Sequence, residues 1–100
     1  MRESEKKKIV AVLNASAKVA FAGVFGSRAT GRARVDSDLD LLVKLKEPVG
    51  LLKLVRLKHR LSDALGIPVD LVTTGALDPG LRVRIMRDIV PIYGERSALH

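Results

Sequence analysis

Asp38 and Asp40 stand either side of Leu39. On a strand, side chains alternate between faces, so both carboxylates point one way while Leu39 and Leu41 point the other. Same-face neighbours on a strand lie roughly 6.5–7 Å apart. Two carboxylates at that spacing can reach inward and share a pair of divalent ions roughly 3.5–4 Å apart. Asp70, between Val69 and Leu71, reads by the same logic as a carboxylate on a strand whose neighbours face the core. Oxygen donors suit Mg²⁺ or Mn²⁺, and Mg²⁺ commonly combines one or two carboxylates with substrate phosphates. Three carboxylates gathered without counter-ions repel one another, and two bound cations would offset that repulsion. Asp36 shares the parity of Asp38 and Asp40 and is a rival ligand, although residues 32–37 read as loop.

Gly26-Ser27 precedes the Asp-x-Asp pair by ten residues, where a buried strand ends and a short helix opens. Glycine lets a phosphate approach the backbone, and a hydroxyl with exposed N–H groups can donate to its oxygens. One piece of chain would then carry both a phosphate cradle and a metal platform. Each part alone has a plainer explanation. An isolated Asp-x-Asp is usually solvated or capping, an isolated Gly-Ser is usually a turn, and a single strand Asp can be an edge charge that discourages aggregation. The order strand, Gly-Ser, loop, Asp-x-Asp, helix, strand Asp is what turns and solvated charges rarely produce together.

The elements that must position these groups follow from periodicity. Glu3 to Ser16 reads as a helix with Ile9, Val12, Leu13 and Ser16/Ala17 at three- and four-residue steps. Val19 to Phe25 is apolar and partly β-branched, the pattern of a buried strand. Ser27 to Gly31 opens a short helix, and Asp38 to Leu45 reads as a second strand. Gly50 to Leu65 is the clearest helix, with Leu54, Leu57, Leu61 and Ala64/Leu65 on one face and Lys53, Arg56, Arg60 and Asp63 on the other. Gly66 and Pro68 end it. Val69 to Val72 is a third strand. Asp78-Pro79 has the form of an N-cap with proline at the first helical position, opening a helix to Arg87. Ile89 to Tyr93 reads as a last, edge strand because Pro91 lacks a ladder donor. Helices and strands interleave, so the class is α/β (α+β), with a small mixed β-sheet packed with helices.

At 100 residues the expectation is a single domain spanning 1–100. A hydrophobic content of 47% excludes wholesale disorder. No apolar run approaches the roughly 20 residues that span a bilayer, and no apolar stretch follows the basic start as a signal peptide requires, so no membrane partner is expected. The absence of cysteine excludes disulfides and Cys-based metal sites and fits a cytoplasmic location. Eighteen Lys and Arg against eleven Asp and Glu give +7, which points to an anionic partner without choosing one. Three aromatic residues (Phe21, Phe25 and Tyr93) are thin for stacking single-stranded bases. His59 and His100 stand apart and are assigned to no metal.

The run Gly26-Ser27-Arg28-Ala29-Thr30-Gly31 through Ser37-Asp38-Leu39-Asp40-Leu41 resembles the signature of the DNA polymerase β-type nucleotidyltransferase superfamily. Within it, the chain is similar to the minimal nucleotidyltransferases, the MntA-like antitoxins of HEPN/MNT toxin–antitoxin systems. The resemblance covers nearly the whole chain, including Pro48-Val49-Gly50-Leu51-Leu52, the helix after it and Val69-Asp70-Leu71-Val72. It implies a palm-like nucleotidyltransferase fold with two Mg²⁺ ions held by Asp38 and Asp40. Asp70 would bind the catalytic ion and help activate the attacking hydroxyl, while Gly26 and Ser27 would hold the triphosphate. Arg28 directly follows the Gly-Ser but lies outside the core motif, so it is either a further nucleotide contact or a solvated cation. Arg32 sits where relatives often carry an acidic residue, and no role is carried over to it.

The resemblance further implies transfer of AMP from ATP to a tyrosine hydroxyl of a HEPN ribonuclease toxin encoded alongside. The chain would act as the antitoxin within a hetero-oligomer. Two other readings compete: a catalytically silent module that neutralises its partner by contact, and a nucleic-acid-binding protein motivated by the charge. The intact set of three carboxylates argues against the first. The acidic centre argues against nucleic acid as the main partner.

Overall fold

The structure, a computed structural model, describes residues 2–31 and 38–99. The elements run α1 (Glu3–Ser16), β1 (Val19–Phe25), α2 (Ser27–Thr30), β2 (Leu39–Leu45), α3 (Leu51–Leu65), β3 (Val69–Thr73), α4 (Pro79–Asp88) and β4 (Val90–Tyr93), with 3₁₀ turns at Thr74–Ala76 and Arg96–Leu99. The four strands form one mixed sheet in the order β3-β2-β1-β4. β1 pairs antiparallel with β2 and β4, while β2 and β3 are parallel. A parallel pair needs a crossover, and α3 supplies it.

Strand alternation sorts the side chains into two cores. Leu39, Leu41 and Val43 of β2 join Val69 of β3 on one face, where Ile9 and Leu13 of α1 and Leu57 and Leu61 of α3 cover them. The opposite face carries Asp40, Leu42 and Lys44, and there Phe21 and Leu42 pack with Ile85, Ile89 and Leu99. β1 serves both cores, which is why it reads as continuously apolar rather than alternating. A bulge between Val19 and Phe21 shifts its phase, so Val19, Ala22 and Val24 face the first core while Phe21 faces the second.

Local chemistry sets the ends. The Asp78 carboxylate accepts the backbone N–H of Leu81 at 2.9 Å, and Pro79 begins α4. Gly66 takes the left-handed conformation after α3 and donates its N–H to the Ser62 carbonyl at 2.8 Å. The boundaries expected from sequence shift by a residue in places. β2 opens at Leu39, since the first ladder bond there runs from Leu39 N–H to the Pro68 carbonyl, leaving Asp38 just outside the strand. Ile89 is the buried exit of α4 rather than the start of β4. Asp36 and Arg32 fall outside the described residues. Among the described residues, no helix is long and apolar enough to cross a membrane.

The helical stripe expected on α3 is the one buried, but Leu51 and Leu52 at its start stay 77% and 65% exposed. Leu61→Ala is therefore expected to cost roughly 2–5 kcal/mol in denaturant unfolding. Leu52→Ala should stay within about 0.5 kcal/mol of the parent.

Candidate active site

Register brings the separated carboxylates together. In the parallel ladder Asp40 of β2 stands opposite Asp70 of β3, and in the antiparallel ladder it stands opposite Phe25 of β1. Neighbouring strands lie about 4.8 Å apart, so thirty residues of sequence collapse to one inter-strand step. Asp40 shares its sheet face with Leu42, at the end where β2 and β3 begin and β1 stops. Asp40 is half-buried, whereas Asp38 and Asp70 are exposed.

Gly26 makes this arrangement possible. Its backbone has φ 74° and ψ −150°, a region open essentially to glycine alone. A Cβ built there would lie 2.3 Å from Asp40 Oδ2 and 3.2 Å from its Cγ. The missing side chain is the space the Asp40 carboxylate occupies. Ser27 follows at the start of α2 and is half-buried. Arg28 lines a small cavity of about 140 Å³ with Lys6, Val24, Ala29, Val90 and Ile92. Val24 belongs to the face opposite that of Asp40.

Burial, then the Asp70 and Asp38 carboxylates, push the Asp40 carboxyl above its ordinary 3.8. The ion pairs among the described residues, Lys6–Glu3 and Lys18–Glu47, lie elsewhere. The donor set is hard, anionic oxygen, which suits Mg²⁺ or Mn²⁺. Among the described residues, no three His, Cys, Asp or Glu side chains stand close enough to enclose one ion. The geometry is an in-register pair, Asp40 and Asp70, with Asp38 acting on it from the loop end of β2.

The model of the family described as polymerase beta, nucleotidyltransferase, matches residues 7–98. The chain belongs to this nucleotidyltransferase family. Protein adenylyltransferase MntA of Thermococcus cleftensis is 43% identical over 68 residues, which cover 68% of this chain and 69% of that protein. A solved structure named provisionally as a minimal nucleotidyltransferase is 40% identical with a TM-score of 0.75, covering 88% of this chain and 89% of its own. A second structure, a tri-AMPylated HEPN toxin from Shewanella oneidensis in complex with MNT antitoxin, matches 98% of this chain and 76% of its own with a TM-score of 0.80. At 21% identity that second likeness shows the fold.

The nucleotidyltransferase fold places Gly26, Ser27, Asp38, Asp40 and Asp70 at one end of the sheet, and Arg28 beside it toward the other face. Sequence reasoning missed the direct contact that ties Gly26 to Asp40. A glycine at a strand end was the available signal, but only register shows which carboxylate fills its space.

Two predictions follow from this corner. Gly26→Ala combines backbone strain of roughly 1–3 kcal/mol with displacement of the Asp40 carboxylate, so nucleotide transfer should fall far more than thermal stability. The folded-state pKa of Asp40 lies above its unfolded value, so native protein holds a proton that unfolded protein releases, and stability falls as pH rises through that window. In metal-free buffer Asp40→Asn should therefore melt at a higher temperature than the parent near neutral pH. That gain should vanish as pH falls through the ordinary carboxylate range, as read by paired calorimetric scans.

Proposed function

We propose that this chain transfers AMP from ATP to a hydroxyl, in the first instance a tyrosine, on a partner toxin of the HEPN class, and so acts as the antitoxin. The pairing of Asp40 with Asp70, with the Asp40 carboxylate seated against Gly26, carries this reading, because it is an acidic platform set directly beside the Gly-Ser turn. The relative named protein adenylyltransferase supports the reaction class. A structure of the same fold, bound to a toxin carrying AMP groups, supports the class of acceptor.

In this reading Asp38 and Asp40 would hold Mg²⁺, or Mn²⁺ in its place, and Asp70 would join them on the side of the acceptor once the metal and the nucleotide phosphates supply the remaining oxygens. Such ions, when bound, lower the pKa of the attacking hydroxyl and neutralise charge on the triphosphate and the departing pyrophosphate. Burial and, after it, the neighbouring carboxylates raise the Asp40 pKa, and a bound cation would offset both by favouring the charged form. Gly26 and Ser27 cradle the triphosphate, with the α-phosphorus brought in line with the acceptor oxygen. Asp70, on an edge strand and exposed, accepts a hydrogen bond from the incoming hydroxyl. The new bond joins acceptor oxygen to α-phosphorus, and the bond to the bridging oxygen breaks with release of pyrophosphate. Positioning and electrostatics supply most of such catalysis, so the carboxylates outweigh any single base.

The direct test mixes the chain with its neighbouring HEPN protein, ATP and Mg²⁺ and follows the intact mass of the partner. Whole AMP units should be added, and chelation by EDTA should stop their addition. Asp38→Asn and Asp40→Asn should each lower the rate by roughly 10²-fold or more. Full transfer by both variants would reject the assignment. Toxin neutralisation by Asp40→Asn with no mass change would favour the silent module instead.

A further inference from the structure

A cationic stripe stands apart from the carboxylates, on α3. Its fifteen residues hold Lys53, Arg56, Lys58 and Arg60 against one acid, Asp63. Lys53, Arg56 and Arg60 fall at steps of three and four, a stripe about 10 Å long at 1.5 Å per residue. They line a groove of about 430 Å³ between α3 and the end of α1, together with Leu52, Ala15 and Ser16. Arg60 Nη1 donates to Ser16 Oγ at 3.0 Å, which holds its guanidinium across the groove. Lys53 and Arg56 have no acidic partner among the described residues.

Apolar surface accompanies the charge. Leu51, Leu52 and Val55 are 77%, 65% and 40% exposed, although Leu57 and Leu61 of the same helix are buried. Scattered exposed leucines need no explanation, but Leu52 lines the cationic groove itself, with Leu51 and Val55 uncovered on the same helix, so apolar surface accompanies its charges. This surface lies on the helical side of the sheet, behind Leu41 and Val43, whereas Asp40 points out of the other side. An occupant of the groove leaves the Asp40–Asp70 end open.

We propose that this groove docks an acidic amphipathic helix of a protein partner, with carboxylates at three- and four-residue spacing facing Lys53, Arg56 and Arg60 and an apolar side chain against Leu52. Charge complementarity sets the sign of the occupant. The exposed leucines set its class, because phosphate backbones gain nothing from them. The aromatic residues of the chain are Phe21, which is buried, and Phe25 and Tyr93, which are half-buried on the sheet, so α3 offers no stacking surface for bases. A helix lying along α3 satisfies its own backbone and needs only side-chain contacts from the groove. The choice of HEPN protein as the partner rests on the function proposed above, whereas the surface and its occupant's chemistry do not.

The test titrates the chain with its neighbouring HEPN protein by calorimetry without ATP, so that no transfer intervenes. Lys53→Glu/Arg56→Glu reverses two exposed charges and leaves the Arg60–Ser16 bond intact. Its melting temperature should match the parent's, while Kd for the partner should rise at least about tenfold, with the parent's own affinity weakening as salt increases. Leu52→Ser, at a site where little packing is lost, should also weaken binding and guards against a purely electrostatic artefact. Under turnover, the double variant should raise KM for the partner and keep kcat at saturation. Unchanged Kd in both variants overturns the proposal. So does loss of binding to a 20-mer RNA with partner affinity retained, or a parent that self-associates through α3 while the variant binds the partner normally. If no AMP is transferred yet binding depends on α3, the proposed reaction fails and the docking surface stands.

Discussion

Two like charges set side by side on adjacent strands are the constraint to which the rest of the chain answers. Asp40 and Asp70 are held opposite one another by ladder hydrogen bonds that neither side chain can relax. Burial first, and then the Asp70 and Asp38 charges, disfavour the ionised form of Asp40. Such an arrangement costs stability in the isolated fold, and it persists because the backbone on both sides is over-determined by the two cores. Glycine at position 26 removes the one steric obstacle, so the third strand of the corner closes against the carboxylate rather than pushing it away.

The two faces of the sheet divide the labour. Leu39, Leu41 and Val43 alternate with Asp40, Leu42 and Lys44, so each strand that carries a carboxylate also anchors it in the α1–α3 core. The other face has a smaller cover. Ile85 of α4 and Leu99 of the last turn reach it, while Lys44 Nζ donates to the Ala98 carbonyl and Arg82 Nη2 to the Leu99 carbonyl. These bonds satisfy a buried turn and close the middle of the face. The end bearing Asp40 is left partly open, with Asp38 and Asp70 exposed beside it.

The net charge of +7 takes a different meaning once placed in space. The Asp40–Asp70 end of the sheet is acidic. The excess of Lys and Arg stands largely on outer helix faces, α3 carrying four of them against one acid. The basic face of α3 and the acidic end of the sheet thus lie on opposite sides of one sheet, with the apolar core between them.

Much of this was legible in the residues alone. Period-two alternation around Leu39 and Leu41 placed Asp40 on the face opposite them, although Asp38 falls just outside the strand, and period-3.6 spacing in Leu54, Leu57 and Leu61 marked the buried side of α3. Both patterns depend only on backbone geometry, so neighbours in sequence suffice to read them. The proline after Asp78 and the glycine after Leu65 marked helix ends for equally local reasons. Tertiary structure alone decided that Asp40 faces Asp70 in register and that the Asp40 carboxylate fills the space beside Gly26. It also decided that Leu51 and Leu52 stay uncovered, although their spacing does not distinguish them from buried leucines. Register, close approach and burial are relations between segments remote in sequence, set by how two cores pack on one sheet.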